Sequence, residues 1–538
     1  KQNDSADYFL GGRDATWLAI GASIFASNIG SEHLIGLAGA GASSGMAMAH
    51  WEIQGWMILI LGWVFVPFYT RSMVYTMPEF LERRYNPQSR TILSVISLVS
   101  YVLTKVAVTV YAGGLVFQQV FGIKELWGID FFWIAAIGLV VLTALYTIFG
   151  GMKSVLYTSV LQTPILLLGS LIILVLGFKE LGGWDEMMRV CGAVTVNDYG
   201  DTMTNLIRSN DDANFPWLGA LIGSAIIGFW YWCTDQFIVQ RVLSGKNEME
   251  ARRGTIFGAY LKLLPVFLFL IPGMIAFALH QKYIGAGGEG FLPMLENGTA
   301  NADAAFPTLV AKLLPAGVKG LVVCGILAAL MSSLASLFNS SAMLFTIDFY
   351  KRFRPQTSEK KLVGIGQVAT VVIVILGILW IPIMRSVGDV LYTYLQDVQS
   401  VLAPGIAAAF LLGICWKRTS AQGGMWGLIS GMVIGLTRLG AKVYYSNAGE
   451  VADSTFKYLF YDMNWLFFCG WMFLFCIIVV IVVSLATEAP TAEKIQGLVF
   501  GTATKEQKAS TRASWNHWDI IHTVIILAIT GAFYWYFW

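Results

Sequence analysis

The chain has 538 residues, 56% of them hydrophobic and only 13% charged, with a formal net charge of +2. Soluble domains carry roughly twice that charged fraction, which excludes a water-soluble enzyme or binding module. The near-neutral balance gives no basis for a nucleic-acid partner.

The opening "KQNDSADYFL" is polar and lacks a signal-peptide pattern. Beyond it, apolar runs of the length needed to cross a bilayer recur along the whole chain, about 13 in all. The first, 15–47, carries "ASNIGSEHLIG" at 26–36, placing its most polar residues and two glycines near its middle. Unwound backbone at membrane depth is tolerated only where protein or a water-filled cavity satisfies it. A break near Asn28–Ser31 frees carbonyls for a cation, while Ser31 and Glu32 suit the N-cap and first turn of a second half-helix.

Four runs follow at 51–70, 91–120, 127–149 and 152–177. The next, 213–243, contains "SAIIGFWYWCTDQ", again mixing glycine, aromatic and polar groups at mid-membrane. Two interrupted helices five helices apart point to an inverted repeat, 15–177 and 213–415, with a site between the halves. Further runs lie at 255–280, 306–348, 361–384 and 388–415. Three peripheral ones, at 422–440, 464–486 and 517–537, fall within 416–538. The reading is therefore one transmembrane domain over 1–538, an all-α polytopic membrane protein.

Lys and Arg concentrate on loops sharing a side with the N-terminus, including "ARRG" at 251–254 and "YKRFRP" at 350–355. The positive-inside rule makes that side cytoplasmic. A glycosylation sequon, "ENGTA" at 296–300, falls on the opposite side. The six cysteines show no disulfide or metal spacing, and no nucleophile–base set or metal cluster suggests an enzyme.

In "AALMSSL", Ala329, Ser332 and Ser333 stand at i, i+3 and i+4 and share one helix face. Their oxygens suit a hard cation, although serines in membrane helices also bond back to the preceding turn. Asn28, His33, Glu52, Tyr231, Trp232, Lys262 and Gln396 bring amide, imidazole, carboxylate, amine and aromatic groups near mid-membrane. Intramembrane ionisable residues are functional candidates by default; Lys262 lies too deep in its helix to snorkel, whereas Glu52 begins a helix and has an interfacial position as its alternative. Lys105 faces the bundle with no evident partner, and Asp235 is expected to pair with Arg241.

The segments "DYFLGGRDATWLAIGASIFASNIGSEHLIGLAGAGASSG", "GFWYWCTDQFIVQR", "AALMSSLASLFNSSAMLFTIDFYK" and "LAPGIAAAFLLGICWKRT" closely resemble the sodium/glucose cotransporter branch of the solute:sodium symporters, from about residue 7 to 440. The resemblance implies a LeuT-type 5+5 inverted-repeat core. It also implies plasma-membrane import of a hexose, glucose or galactose, with Na+ by alternating access. Matched position by position, it places sodium at Ala26, Ile29, Ala329, Ser332 and Ser333. Sugar falls to the seven residues above, and gating to Leu37, Trp51, Tyr231 and Tyr392. Two positions depart from the family. Ser159 replaces an Asp associated with extra sodium coupling, so one sodium per solute is expected. Gly228 stands where relatives carry Asn or Thr, which keeps myo-inositol or another polyol as the alternative solute. A sugar sensor ranks below both, since no kinase or receiver-like region is appended.

Overall fold

A computed structural model describes residues 5–30, 32–295, 298–385, 391–447 and 452–538. The first helix, α1 (Trp17–Asn28), stops at Ile29, whose φ of −78° and ψ of 97° are extended. The chain resumes as a wide, π-type turn at Glu32–Leu37 and continues into α2 (Ala38–Ser44). Gly45, with φ of +70°, turns it back, and a Cβ there would meet the Met203 carbonyl. Then α3 starts at Gly55–Ile60 and runs on to Ser72, and α4 spans Pro87–Ser100 and onward to Phe121.

The fifth helical stretch, α5 (Phe131–Leu181), has 51 residues. At 1.5 Å per residue it is far longer than a bilayer is thick. Gly151, with φ of 54° and ψ of −156°, divides it into two spans. Next come α6 (Trp217–Gly228, extended by a wide turn to Thr234), α7 (Gln236–Leu243), α8 (Glu248–Lys262) and α9 (Ile271–Gly285). The last six are α10 (Ala316–Met343), α11 (Glu359–Arg385), α12 (Leu391–Cys415), α13 (Ala421–Asn447), α14 (Trp465–Ala486) and α15 (His517–Tyr536). Among the described residues, nine continuous helical stretches are long and apolar enough to cross a membrane. Dividing the folded-back ones at Gly45 and Gly151, with α1 joined to α2 and α6 to α7 across their breaks, makes eleven spans, and α4 and α13 bring the total to the 13 expected from the sequence. A two-residue hairpin, β1 (Glu125–Leu126) with β2 (Ile129–Asp130), adds the named strands.

The bundle is layered by hydrophobicity. From Ala19 to Asn28, α1 is buried all round, with α8, α5 and α10 packed against it. On α14 and α15, by contrast, Trp471, Phe475, Ile478, Val482, Val524 and Leu527 are exposed, a belt suited to lipid. Both ends are laced. On the N-terminal face, Arg13 donates to the carbonyls of Met73 and Val74 at 3.0 and 2.8 Å, and Arg84 Nε donates to Gly413 O at 2.7 Å. On the far face, Met46 N donates to Met203 O at 2.8 Å, and Leu206 N to Phe537 O at 3.0 Å. All six cysteines are free thiols. The sequon's Asn297 lies outside the described residues.

Candidate functional site

The first break exposes main-chain oxygens. His33 N and Leu34 N both turn back to Gly30 O, at 3.1 and 3.2 Å. Ile29 O therefore lacks its i+4 partner, His33 N, and among the described residues no backbone amide outside the helix bonds Ala26 O. Facing them is α10: a Cβ at Gly30 would lie only 2.9 Å from Ser333 Oγ, so glycine permits the close approach. Ser27 Oγ and Ser336 Oγ are 2.7 Å apart and pin α1 to α10 beside it. Ser336 and Ser159 both bond back to their preceding turns, at 2.7 and 2.6 Å. Ser332 and Ser333 make no such bond to a described residue. Ser332 Oγ approaches only Ser159 Oγ, at 3.3 Å. Ala329, Ser332 and Ser333 are 0–2% exposed. The structure thus brings two carbonyls, unbonded by described residues outside the helix, against a hydroxyl face, a hard oxygen donor set.

Next to this junction is a cavity of about 50 Å³, lined by Asn28, His33, Trp51, Glu52, Tyr231, Trp232, Lys262 and Gln396, among others. That volume holds a few waters and is smaller than the roughly 300 Å³ of most small-molecule sites, so its walls must part to admit a solute. Five of the seven expected solute residues form one chain of hydrogen bonds. Glu52 Oε2 takes Lys262 Nζ at 2.6 Å and His33 Nε2 at 3.1 Å. Lys262 Nζ also donates to Asn28 Oδ1 at 3.1 Å, and Asn28 Nδ2 donates to the Tyr231 hydroxyl at 3.1 Å. The Lys262 ammonium lies 5.4 Å from the Trp232 ring centre.

Three buried polar atoms on the lining residues have no partner among the described residues: His33 Nδ1, Trp51 Nε1 and Gln396 Oε1. Buried polar atoms are normally satisfied. An indole N–H donor, an imidazole nitrogen that can donate or accept and an amide carbonyl left open around one cavity match the mixed chemistry of hydroxyl groups.

The sequence reading missed four lining residues, Gln54, Ile227, Leu395 and Gln399, and had treated Glu32 as a helix cap. Each lies within a few residues of a predicted contact, but nothing in a single sequence separates a cavity-facing glutamine from a packed one. Of the gate residues, Trp51 stacks on Trp465 of α14 at 5.5 Å and meets Phe215 edge-on, on the far-face side. Leu37 is fully buried but does not line the cavity. The side chain of Tyr392 and the whole of Ser31 lie outside the described residues.

The break in the second interrupted helix falls at Asp235, with φ of −76° and ψ of 127°, beyond the aromatic run. Its carboxylate does not pair with Arg241. Lys105 Nζ takes it at 2.5 Å, the Tyr101 hydroxyl bonds it, and it caps α7 through Phe237 N. The reason is reach: Lys105 enters from α4 directly above the break, whereas Arg241 sits six residues along α7, over the Phe237 ring. This pair also supplies the partner that Lys105 lacked in the sequence reading. Lys105 Nζ lies 4.6 Å from the Tyr231 ring centre, so Tyr231 separates the cavity from a buried ion pair on the N-terminal-face side. Asp235→Asn strands the Lys105 charge and is expected to destabilise the protein by about 3–5 kcal/mol. Thermal unfolding in detergent reads this, and the Lys105→Met/Asp235→Leu double variant should recover most of the loss.

A model of the sodium:solute symporter family matches residues 8–431. The chain belongs to that family. It is 37% identical over 515 residues to the sodium/myo-inositol cotransporter 2 of Homo sapiens, covering 93% of this chain and 75% of the relative. It is 37% identical over 516 residues to the sodium/myo-inositol cotransporter of Canis lupus familiaris, covering 92% and 71%. Among solved structures, a Na+-coupled sialic acid symporter superposes with a TM-score of 0.71 at 22% identity, over 91% of this chain and 94% of that one. This symporter is a multi-pass membrane transporter with a LeuT-type fold and not an enzyme, and sodium is its coupling ion.

Proposed function

We propose that this symporter carries a polyhydroxylated ring, with myo-inositol as its first solute, at the cavity between α1, α3, α6, α8 and α12. The carrying observation is the continuous His33–Glu52–Lys262–Asn28–Tyr231 network facing open polar atoms on Trp51 and Gln396. The similarity to sodium/myo-inositol cotransporters favours inositol over the hexoses expected from the sequence. Glucose and galactose become the second reading, since the same donor set would serve their hydroxyls.

In this reading Ala26 O, Ile29 O, Ala329 O and the Ser332 and Ser333 hydroxyls bind sodium. The ion then ties the broken α1 to α10 and fixes both sides of the break, Asn28 before it and His33 after it. Trp51 on Trp465 closes the path from the far face, and Tyr231 closes it toward the N-terminal face. The orientation follows the basic loops, with the N-terminal face cytoplasmic. A cation crossing 100 mV supplies about 2.3 kcal/mol before any concentration term, enough for tens-fold accumulation.

Ser159, whose hydroxyl lies 3.3 Å from Ser332 Oγ, is neutral, which supports one sodium per solute. Parallel sodium and inositol tracer fluxes should give a ratio of one, and a ratio of two would contradict it. Competition against labelled myo-inositol by unlabelled inositol, glucose, galactose and a linear polyol tests solute class. Inositol should compete best; a hexose competing at least tenfold better would reverse the order.

A further inference from the structure

Gln54 follows Glu52 by two residues, in the bend between Glu52 and α3, and is 3% exposed. Its Nε2 donates to Ser224 O of α6 at 2.8 Å, and its Oε1 accepts no bond from a described residue. Its side chain fills the space next to Gly228: a Cβ at Gly228 would lie 2.5 Å from Gln54 Oε1 and 2.9 Å from Cδ. Both residues line the cavity with Glu52 and Tyr231. Any larger residue at 228 must therefore push the amide out of its seat.

The Ser224 contact fixes which end of the amide is offered. Flipping it would set carbonyl against carbonyl, so Oε1 is held as an acceptor. An acceptor at a fixed point asks for a hydroxyl donor. Every ring carbon of myo-inositol carries one, whereas a pyranose has one ring position filled by oxygen, which cannot donate. We propose that Gln54, seated by Gly228 and Ser224, is a specificity-determining residue that accepts a solute hydroxyl and favours a cyclitol over a pyranose.

This rests on the cavity being the solute site, so the experiment carries both. Purified symporter in proteoliposomes is assayed for labelled myo-inositol uptake, with glucose as the unlabelled competitor. The variants are Gln54→Leu, Gly228→Thr and Glu52→Gln. Gln54→Leu is expected to raise the half-saturating inositol concentration roughly tenfold, the effect of one hydrogen bond lost from a dry site. The half-inhibiting glucose concentration and the sodium half-saturation should stay within about twofold. Gly228→Thr should shift the inositol-to-glucose ratio the same way with Gln54 still present, which keeps the test decisive should the leucine variant not fold. Equal effects on both solutes, or none, overturn the proposal for Gln54 while loss of uptake in Glu52→Gln leaves the site in place. Full uptake in Glu52→Gln removes the site reading and the inference with it.

Discussion

Glu52→Gln is expected to cut solute uptake by at least about 100-fold, because it removes the counter-charge of Lys262 inside the bundle. The Lys262 ammonium is 3% exposed and lies 2.6 Å from Glu52. Stranding a buried charge costs about 3–5 kcal/mol, and each 1.4 kcal/mol is tenfold in an equilibrium. The glutamine keeps the shape and one acceptor, but, as with Asp235→Asn, part of that cost lowers the stability of the protein. The rest appears in the solute site, where His33 loses its carboxylate partner and Lys262, which holds Asn28, loses its counter-charge. Tracer uptake beside a thermal-unfolding curve separates the two effects. Uptake above half of wild type would place the solute elsewhere.

Ser333→Ala should raise the sodium half-saturation about 10- to 100-fold with little change in the fold. The Ser333 hydroxyl makes no bond to a described residue, so its removal strands nothing. An oxygen on an ion is worth about 1.5–3 kcal/mol by analogy with hydrogen bonds to charged groups. Ser27→Ala is the control. It breaks a 2.7 Å contact with Ser336 between the same two helices and should leave sodium affinity within a few-fold. Equal sodium affinity in wild type and Ser333→Ala would dissolve the oxygen set proposed here.

Much of this was legible in the residues themselves. The glycines and polar groups of "ASNIGSEHLIG" marked the broken helix because a continuous span cannot host them without an internal partner. The i, i+3, i+4 pattern of Ala329, Ser332 and Ser333 marked one face. What the sequence could not say was which distant groups meet. Lys105 and Asp235 are 130 residues apart, and the nearer Arg241 was the natural local guess. Helix geometry, not sequence distance, decided between them. Gln54 was invisible for a related reason: its role comes from the empty Cβ position of Gly228 on another helix. Gly228 itself could be flagged, but the side chain that fills its place appears only once α6 and α3 are packed.

Sodium-driven accumulation is the most direct test. Purified symporter in proteoliposomes is given labelled myo-inositol with an inward sodium gradient, an equal potassium gradient, or no gradient. The account predicts a transient rise above equilibrium with sodium alone, increased by an inside-negative potential and strongly reduced in Ser333→Ala at the same sodium concentration. Equal uptake on sodium and potassium, or sodium-driven uptake of a solute without ring hydroxyls in place of inositol, would contradict it.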